Sequence, residues 1–378
     1  MSFEAAYDAY PINHRLIWLN NAGLTPAGKH VVDRMAEHFE ILSQQGPLAL
    51  EAMLGRVGVQ VKQHLGSLIN ASPRDLTLVH NTAEGMNLVS LGLQLSPGDR
   101  ILLLENEYPS NVYPWQVWQE RGVSLDFVSP GTSPDQAQAN FIQALDERVK
   151  LVALSAVHWC TGMPLPLEPI AAACHQLGAL LVVDGSQGVG MVPVDFAKLA
   201  PAVLCFSAWK WLLGPLGLAG LCMDRETLGR LRMPFKGTDS VANPRSYLPY
   251  QSELRNTVDR YAISTSNYND WVYLEASLAW LHNLGFERVQ ARILELTGRL
   301  WTGLEALGFR SGYRHAAPQS GILSVNRPGL DVDQLSKELE ARQIVARVRL
   351  NRLRLAPHVY LSPSQMDRTV QAIAELAG

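Results

Sequence analysis

Ala179-Leu180-Leu181-Val182-Val183-Asp184-Gly185-Ser186-Gln187 is an apolar run that ends on a carboxylate and then breaks at glycine. A run with no polar residue in it is a strand covered on both faces, because a half-exposed strand alternates apolar and polar. Residues 76–80, 100–104, 125–128, 151–156, 203–206 and 218–223 are apolar on nearly every residue and read as strands in the same way, with 180–184 as the run just quoted. Candidate helices at 84–93, 112–119, 134–145 and 167–177 fall between them. Short buried strands alternating with helices predict the α/β class, a large domain with a mostly parallel seven-stranded sheet flanked by helices.

Working outward, residues 226–262 lose this regularity at Pro234, Pro244 and Pro249. A helical pattern then runs over 269–307 with a break near Gly285, followed by a strand at 321–326 and a helix at 331–342. Strands at 344–349 and 352–356 and a helix at 363–377 complete the chain, with Ser362 placed to cap a helix that starts on Pro363. This is a small C-terminal α/β domain. The expected division is 16–265 for the large domain, with 1–15 and 266–378 forming the small domain and its linking helix.

Composition excludes several classes of function. A net charge of −3 gives no electrostatic reason to expect a nucleic acid or a membrane surface as partner. No apolar stretch is long enough to span a bilayer, and Met1-Ser2-Phe3-Glu4-Ala5 is not the start of a signal peptide. A cytoplasmic protein is expected. Cys160, Cys174, Cys205 and Cys222 form no CxxC pair, so neither a metal site nor a disulfide framework is expected. Cys174, Cys205 and Cys222 sit in apolar surroundings and read as core residues.

Ligands of parallel sheets gather at the carboxyl ends of the strands. Thr82, Tyr108, His158, Asp184 and Ser207 all fall at or just after such ends. Lys210 follows in Phe206-Ser207-Ala208-Trp209-Lys210-Trp211-Leu212-Leu213-Gly214-Pro215. Lysines are few in this chain (Lys29, Lys62, Lys150, Lys198, Lys210, Lys236 and Lys337), which makes one between two tryptophans conspicuous. A strand-end carboxylate near a lysine suits pyridoxal 5'-phosphate. The amine forms a Schiff base with the aldehyde, and the carboxylate pairs with the pyridinium nitrogen and keeps the ring an electron sink.

These residues resemble the class V aminotransferase-fold enzymes, the fold-type I pyridoxal phosphate group. That group includes cysteine desulfurases, selenocysteine lyases, kynureninases and isopenicillin-N-epimerase-like proteins. The resemblance runs from Leu19-Asn20-Asn21-Ala22-Gly23 to Arg354 and Tyr360. It implies that Lys210 carries the cofactor and that Asp184 is the pyridinium partner. It also implies that Gln187 bonds the ring hydroxyl and that Ser186 lies near one ring face. The phosphate is expected at a helix start, in His80-Asn81-Thr82-Ala83-Glu84-Gly85, where Thr82 and Ala83 offer a hydroxyl and backbone donors. Thr82 acting only as a helix N-cap is the structural alternative. Ser207 resembles the family's phosphate-binding serine. Trp209 stands where the desulfurase branch often has histidine, and its indole N–H is a candidate donor. Tyr108 aligns with the residue that stacks on the ring, again histidine in desulfurases, and tyrosine is a poor proton donor near neutrality.

Val157-His158-Trp159-Cys160-Thr161-Gly162 occupies the segment beside the substrate. Trp159 replaces an asparagine there, and His158 is either a proton carrier or a hydrogen-bonded strand-end histidine. Arg354 resembles the arginine that binds the substrate α-carboxylate through two parallel bonds. The alternative for Arg354 is a solvated strand edge among Arg347, Arg349 and Arg352. Asn21 and Ala22 are expected to line the substrate side. Thr265 resembles a threonine that reaches the phosphate of a neighbouring subunit, which implies a homodimer with shared sites.

No cysteine follows Cys222. A desulfurase that holds sulfur as a persulfide needs a thiolate shortly before the carboxylate-binding arginine, so that route is disfavoured. The resulting expectation is an enzyme that deprotonates Cα of an amino acid, a class V aminotransferase first. A C–S β-lyase or an epimerase is the alternative, and a catalytically idle cofactor-binding protein is an alternative of another class. A nicotinamide dehydrogenase is disfavoured, because Gly185-Ser186-Gln187-Gly188-Val189-Gly190 lacks the GxGxxG spacing.

Overall fold

The computed structural model describes residues 2–200 and 202–377. The short β1 (Ile17–Trp18) opens the chain's strands. The central sheet takes β2 (Leu76–Val79), β3 (Arg100–Leu104), β4 (Ser124–Val128), β5 (Val149–Ser155), β6 (Leu180–Asp184), β7 (Ala202–Ser207) and β8 (Ala219–Met223). It is the expected seven-stranded sheet, in the order β2-β8-β7-β6-β5-β3-β4. Strands β3 to β7 pair in parallel, and β8 is antiparallel to both of its neighbours. Two antiparallel steps restore the direction. Val79, Ala219 and Ser207 therefore stand in one row, and the end of β2 opens on the same sheet edge as the ends of β6 and β7.

Every residue of β6, β7 and β8 is buried, as the apolar runs require. One face packs against the helices Lys29–Ile69 and Tyr268–Leu284, and the other against the helix Thr82–Gly92 with Trp115 and Trp118. The helix Lys29–Ile69 has 41 residues and no counterpart in the sequence pattern. It is two helices merged across a kink at Gly46, whose φ of 72° suits glycine, followed by Pro47, which cannot continue a hydrogen-bonded helix. The expected helix at 112–119 shrinks to Tyr113–Gln116 between two 3-10 turns, with Pro114 in its first turn.

The C-terminal region holds β9 (Arg310–Ser311), β10 (Leu323–Asn326), β11 (Ile344–Val345), β12 (Arg347–Arg349) and β13 (Arg352–Leu355). The expected single strand at 344–349 is two strands serving different sheets. β12, β13, β10 and β9 form an antiparallel sheet, whereas β11 pairs in parallel with β1. The helices Tyr268–Leu284 and Phe286–Ala306 meet at Gly285, the expected break. A third core joins these elements to the N-terminal segment and to Met191, Trp211 and Leu213 from the loops of the large sheet. Met1 and Gly378, the ends of the expected small-domain range, lie outside the described residues. No helix among the described residues is long and apolar enough to cross a membrane.

Candidate active site

A cavity of about 390 Å³ opens at the carboxyl edge of the large sheet. Its wall includes Thr82, Ala83, Tyr108, Trp159, Asp184, Ser186, Gln187, Trp209, Lys210 and Arg354, which the strand order brings together from across the chain. Ala22, Gly23, Asn81, Ser110 and Arg349 complete it.

Asp184 ends β6 and is almost fully buried, and Ser186 N–H donates to its Oδ1 at 2.8 Å. Burial pushes this carboxyl up from its usual value, and the positive charge of Lys210 opposes the rise. Burial likewise pushes the Lys210 amine down to about 8, against the pull of Asp184 and with a further push from Arg354. Lys210 Nζ lies 5.6 Å from the centroid of the Tyr108 ring, which meets the Trp159 ring edge-on. An aromatic face, a lysine and a carboxylate thus border one space.

The end of the cavity beside β2 is built for an anion. Asn81, and not Thr82, caps the helix Thr82–Gly92, its side chain accepting from Glu84 N–H at 2.9 Å. Thr82 is the first helical residue, with its hydroxyl 3.1 Å from that of Ser186. Ser207 N–H donates to Ser186 Oγ at 3.1 Å, while Ser207 Oγ is buried with no partner. A helix start with unpaired N–H groups, two linked hydroxyls and an orphaned third fit a phosphate. Gly85 lets the helix lie this close, since a Cβ there would meet Cys205 Sγ at 2.5 Å.

Arg354 lies opposite and is 3% exposed. Its guanidinium donates to Trp159 O at 2.9 Å and to Asn20 Oδ1 at 3.4 Å, and its Nε has no partner. No carboxylate among the described residues pairs with it. Burial holds its pKa down at about 10, and nearby Arg349 adds to the effect. A buried cation with spare donors is a receptor for a carboxylate from outside the chain.

Four sequence candidates are absent from the cavity wall: Ser207, bonded to Ser186 of that wall, and His158, Asn21 and Thr265. His158 is buried and absent from the cavity wall. Its Nδ1 accepts from Thr161 N–H at 3.1 Å and lies 3.3 Å from Cys160 N, and burial lowers its pKa to about 4. It staples the turn that presents Trp159, the strand-end alternative expected for it, and does not line the cavity. Asn21 is fully buried and committed, donating to Lys210 O and accepting from Tyr360 O–H, both at 2.9 Å. It holds the lysine loop instead of facing the cavity as expected. Thr265 lines a separate concavity with His80, Glu84, Ser264 and Asn267.

Glu107 carried no sequence signal beyond standing before Tyr108. It is buried and accepts from Ser155 O–H at 2.6 Å and Tyr108 N–H at 2.7 Å. Burial, then Asp184, pushes its pKa up to about 7. The folded protein therefore keeps this proton to about pH 7, whereas the unfolded chain releases it near 4.5. The group's contribution is full below the unfolded value and is lost as pH rises through the folded one. Glu107→Gln is expected to match the parent at pH 4 and to be more stable at pH 8 by about 3 kcal/mol in urea melts. Equal stability at both pH values would refute the buried-acid assignment.

The fold and the cavity define a pyridoxal phosphate enzyme of fold type I. The aminotransferase class-V profile matches residues 17–349, and the chain belongs to that family. A probable cysteine desulfurase of Pyrococcus abyssi (strain GE5 / Orsay) is 25% identical, over 97% of this chain and 95% of that protein. Isopenicillin N epimerase of Amycolatopsis lactamdurans is 27% identical, over 95% and 94%. The solved complex of the cystine C–S lyase C-DES with its reaction product cysteine persulfide has a TM-score of 0.89 at 25% identity, covering 97% of this chain and 99% of that one.

Proposed function

We propose that this enzyme cleaves the Cβ–S bond of a sulfur amino acid such as cystine. The observation that carries an amino acid as substrate is Arg354, a buried guanidinium with no carboxylate partner among the described residues, lining one cavity with Lys210. Pyridoxal phosphate held in this cavity would supply an electron sink for Cα of the amino acid. Asp184 holds negative charge at the pyridine nitrogen, and the helix start at Thr82 and Ala83, with Ser207, takes the phosphate. Arg354 orients the α-carboxylate, Tyr108 covers the ring, and the Lys210 amine takes the Cα proton. Sulfur then leaves with the electrons of the Cβ–S bond, and hydrolysis of the remaining product gives pyruvate and ammonia.

Transamination is the reading that the family label favours. C–S cleavage gains support from the relatives, whose names include probable cysteine desulfurase and cystine C–S lyase. The cysteines weigh against a persulfide held on the enzyme: all four are buried, and none follows Cys222. A lyase that releases its sulfur product needs no such thiol. Incubation with L-cystine is expected to give pyruvate, ammonia and cysteine persulfide in equal amounts. Cofactor converted to its amine form and restored by a 2-oxo acid would establish transamination instead. Exchange of the Cα proton without pyruvate would establish epimerisation.

A homodimer belongs to the same proposal. Thr265 lines a concavity other than its own chain's candidate site, and Tyr247, Leu248 and Tyr250 are strongly exposed on the irregular segment before it. A second copy covering that segment would bring Thr265 to its partner's phosphate.

A further inference from the structure

Gln187 lines the cavity, and a glutamine amide has two ends of nearly equal shape. Its neighbours decide which end faces where. Trp211 Nε1–H can only donate, and it lies 2.8 Å from Gln187 Oε1. The carbonyl of Ala22 can only accept, and it lies 2.9 Å from Gln187 Nε2. Trp211 is fully buried, and Gln187 and Ala22 are nearly so. A flipped amide would set N–H against N–H and oxygen against oxygen, leaving buried donors and acceptors unpaired. Ala22 belongs to the cavity wall and Trp211 does not, so the amide turns its NH₂ end to the cavity. One of the two N–H groups is spent on Ala22, and the other remains to be given.

Trp211 is itself held from behind. The His358 ring stacks on it at 5.8 Å, with Nε2 3.2 Å from Trp211 O. A carbonyl only accepts, so this Nε2 carries the hydrogen. His358 in turn stacks on Tyr360. The C-terminal region thereby fixes an indole whose only polar atom is aimed at the cavity glutamine.

We propose that Trp211 is a positioning residue that locks Gln187 as a hydrogen-bond donor to the ring oxygen of the cofactor. A donor at that oxygen stabilises its anionic form and lowers the pH at which the bound cofactor's visible absorbance titrates. The inference rests on the cofactor occupying the cavity that Gln187 lines, the premise of the proposed function, but not on the reaction that follows. Its test uses no substrate, so it stands or falls separately from C–S cleavage.

The test is a spectral pH titration of the holoenzyme. Trp211→Phe is expected to raise the absorbance midpoint by about one pH unit, the loss of a donor to a charged oxygen. Gln187→Leu should raise it by as much or more, and the double variant no further than Gln187→Leu alone. Should Trp211→Phe fold poorly, 3-benzothienylalanine at position 211 keeps the ring shape, replaces the N–H with sulfur, and should give the same shift. A midpoint that moves in Gln187→Leu but not in either position-211 variant would reduce Trp211 to packing. A midpoint unmoved by all of them would remove Gln187 from the cofactor as well.

Discussion

Lys210→Ala is expected to lower turnover by about a thousandfold or more while leaving the cofactor in place. In the proposed mechanism the lysine supplies the covalent link and takes the Cα proton, and among the described residues no second lysine lines the cavity to replace it. The contacts proposed for the cofactor at Asp184, Thr82, Ala83 and Ser207 would not depend on it. Borohydride reduction should therefore fix the cofactor to the parent chain, at Lys210, and not to the variant. Covalent label persisting in Lys210→Ala would overturn the assignment. Burial also sets how the free amine behaves. With its pKa near 8, roughly a tenth of the amine is neutral at pH 7, against well under a thousandth for an ordinary lysine. Reconstitution of the cofactor-free protein should accelerate about tenfold per pH unit up to about pH 8 and then level off. A rate still climbing steeply above pH 9 would show that the amine is not depressed.

Arg354→Ala is expected to lower kcat/KM by about two to three orders of magnitude, chiefly through KM, with the cofactor spectrum unchanged. Truncating one partner of a buried, hydrogen-bonded charge pair costs about 2–5 kcal/mol, and each 1.4 kcal/mol is about tenfold. Arg354→Lys should recover little of it. A single ammonium cannot reproduce two parallel bonds, and it would have to satisfy Trp159 O as well. Loss confined to cofactor binding would place Arg354 on the wrong ligand.

Much of this site was legible in the residues themselves. The end of β6 at Asp184 followed from a run with no polar residue before it, and Lys210 stood out by chemistry and rarity. The less legible parts were those whose meaning depends on what packs around them. His158 read as readily as a proton carrier as a staple, because nothing in its neighbours reveals that Cys160 and Thr161 N–H groups approach its Nδ1. Asn21 sits in a motif that faces the site, yet its amide turns to Tyr360, far away in sequence. Glu107 and Trp211 were plain residues beside conspicuous ones. Their roles come from Ser155 and from Gln187, which only the sheet order brings near. The helix Lys29–Ile69 escaped because Gly46-Pro47 interrupts its pattern, while packing against Tyr268–Leu284 holds the two halves together.

The sequence alone determined the α/β class and the cofactor, and it singled out Asp184 and Lys210. Those depend on local apolar runs and on the intrinsic chemistry of Asp184 and Lys210. Tertiary structure decided the environment. It buried the pair so that each shifts the other's proton affinity, and left Arg354 without a carboxylate. It also turned Gln187 one way with an indole. Burial and partner choice arise between segments distant in the chain, and they set what a carboxylate, an amine or an amide does once the fold has closed around it.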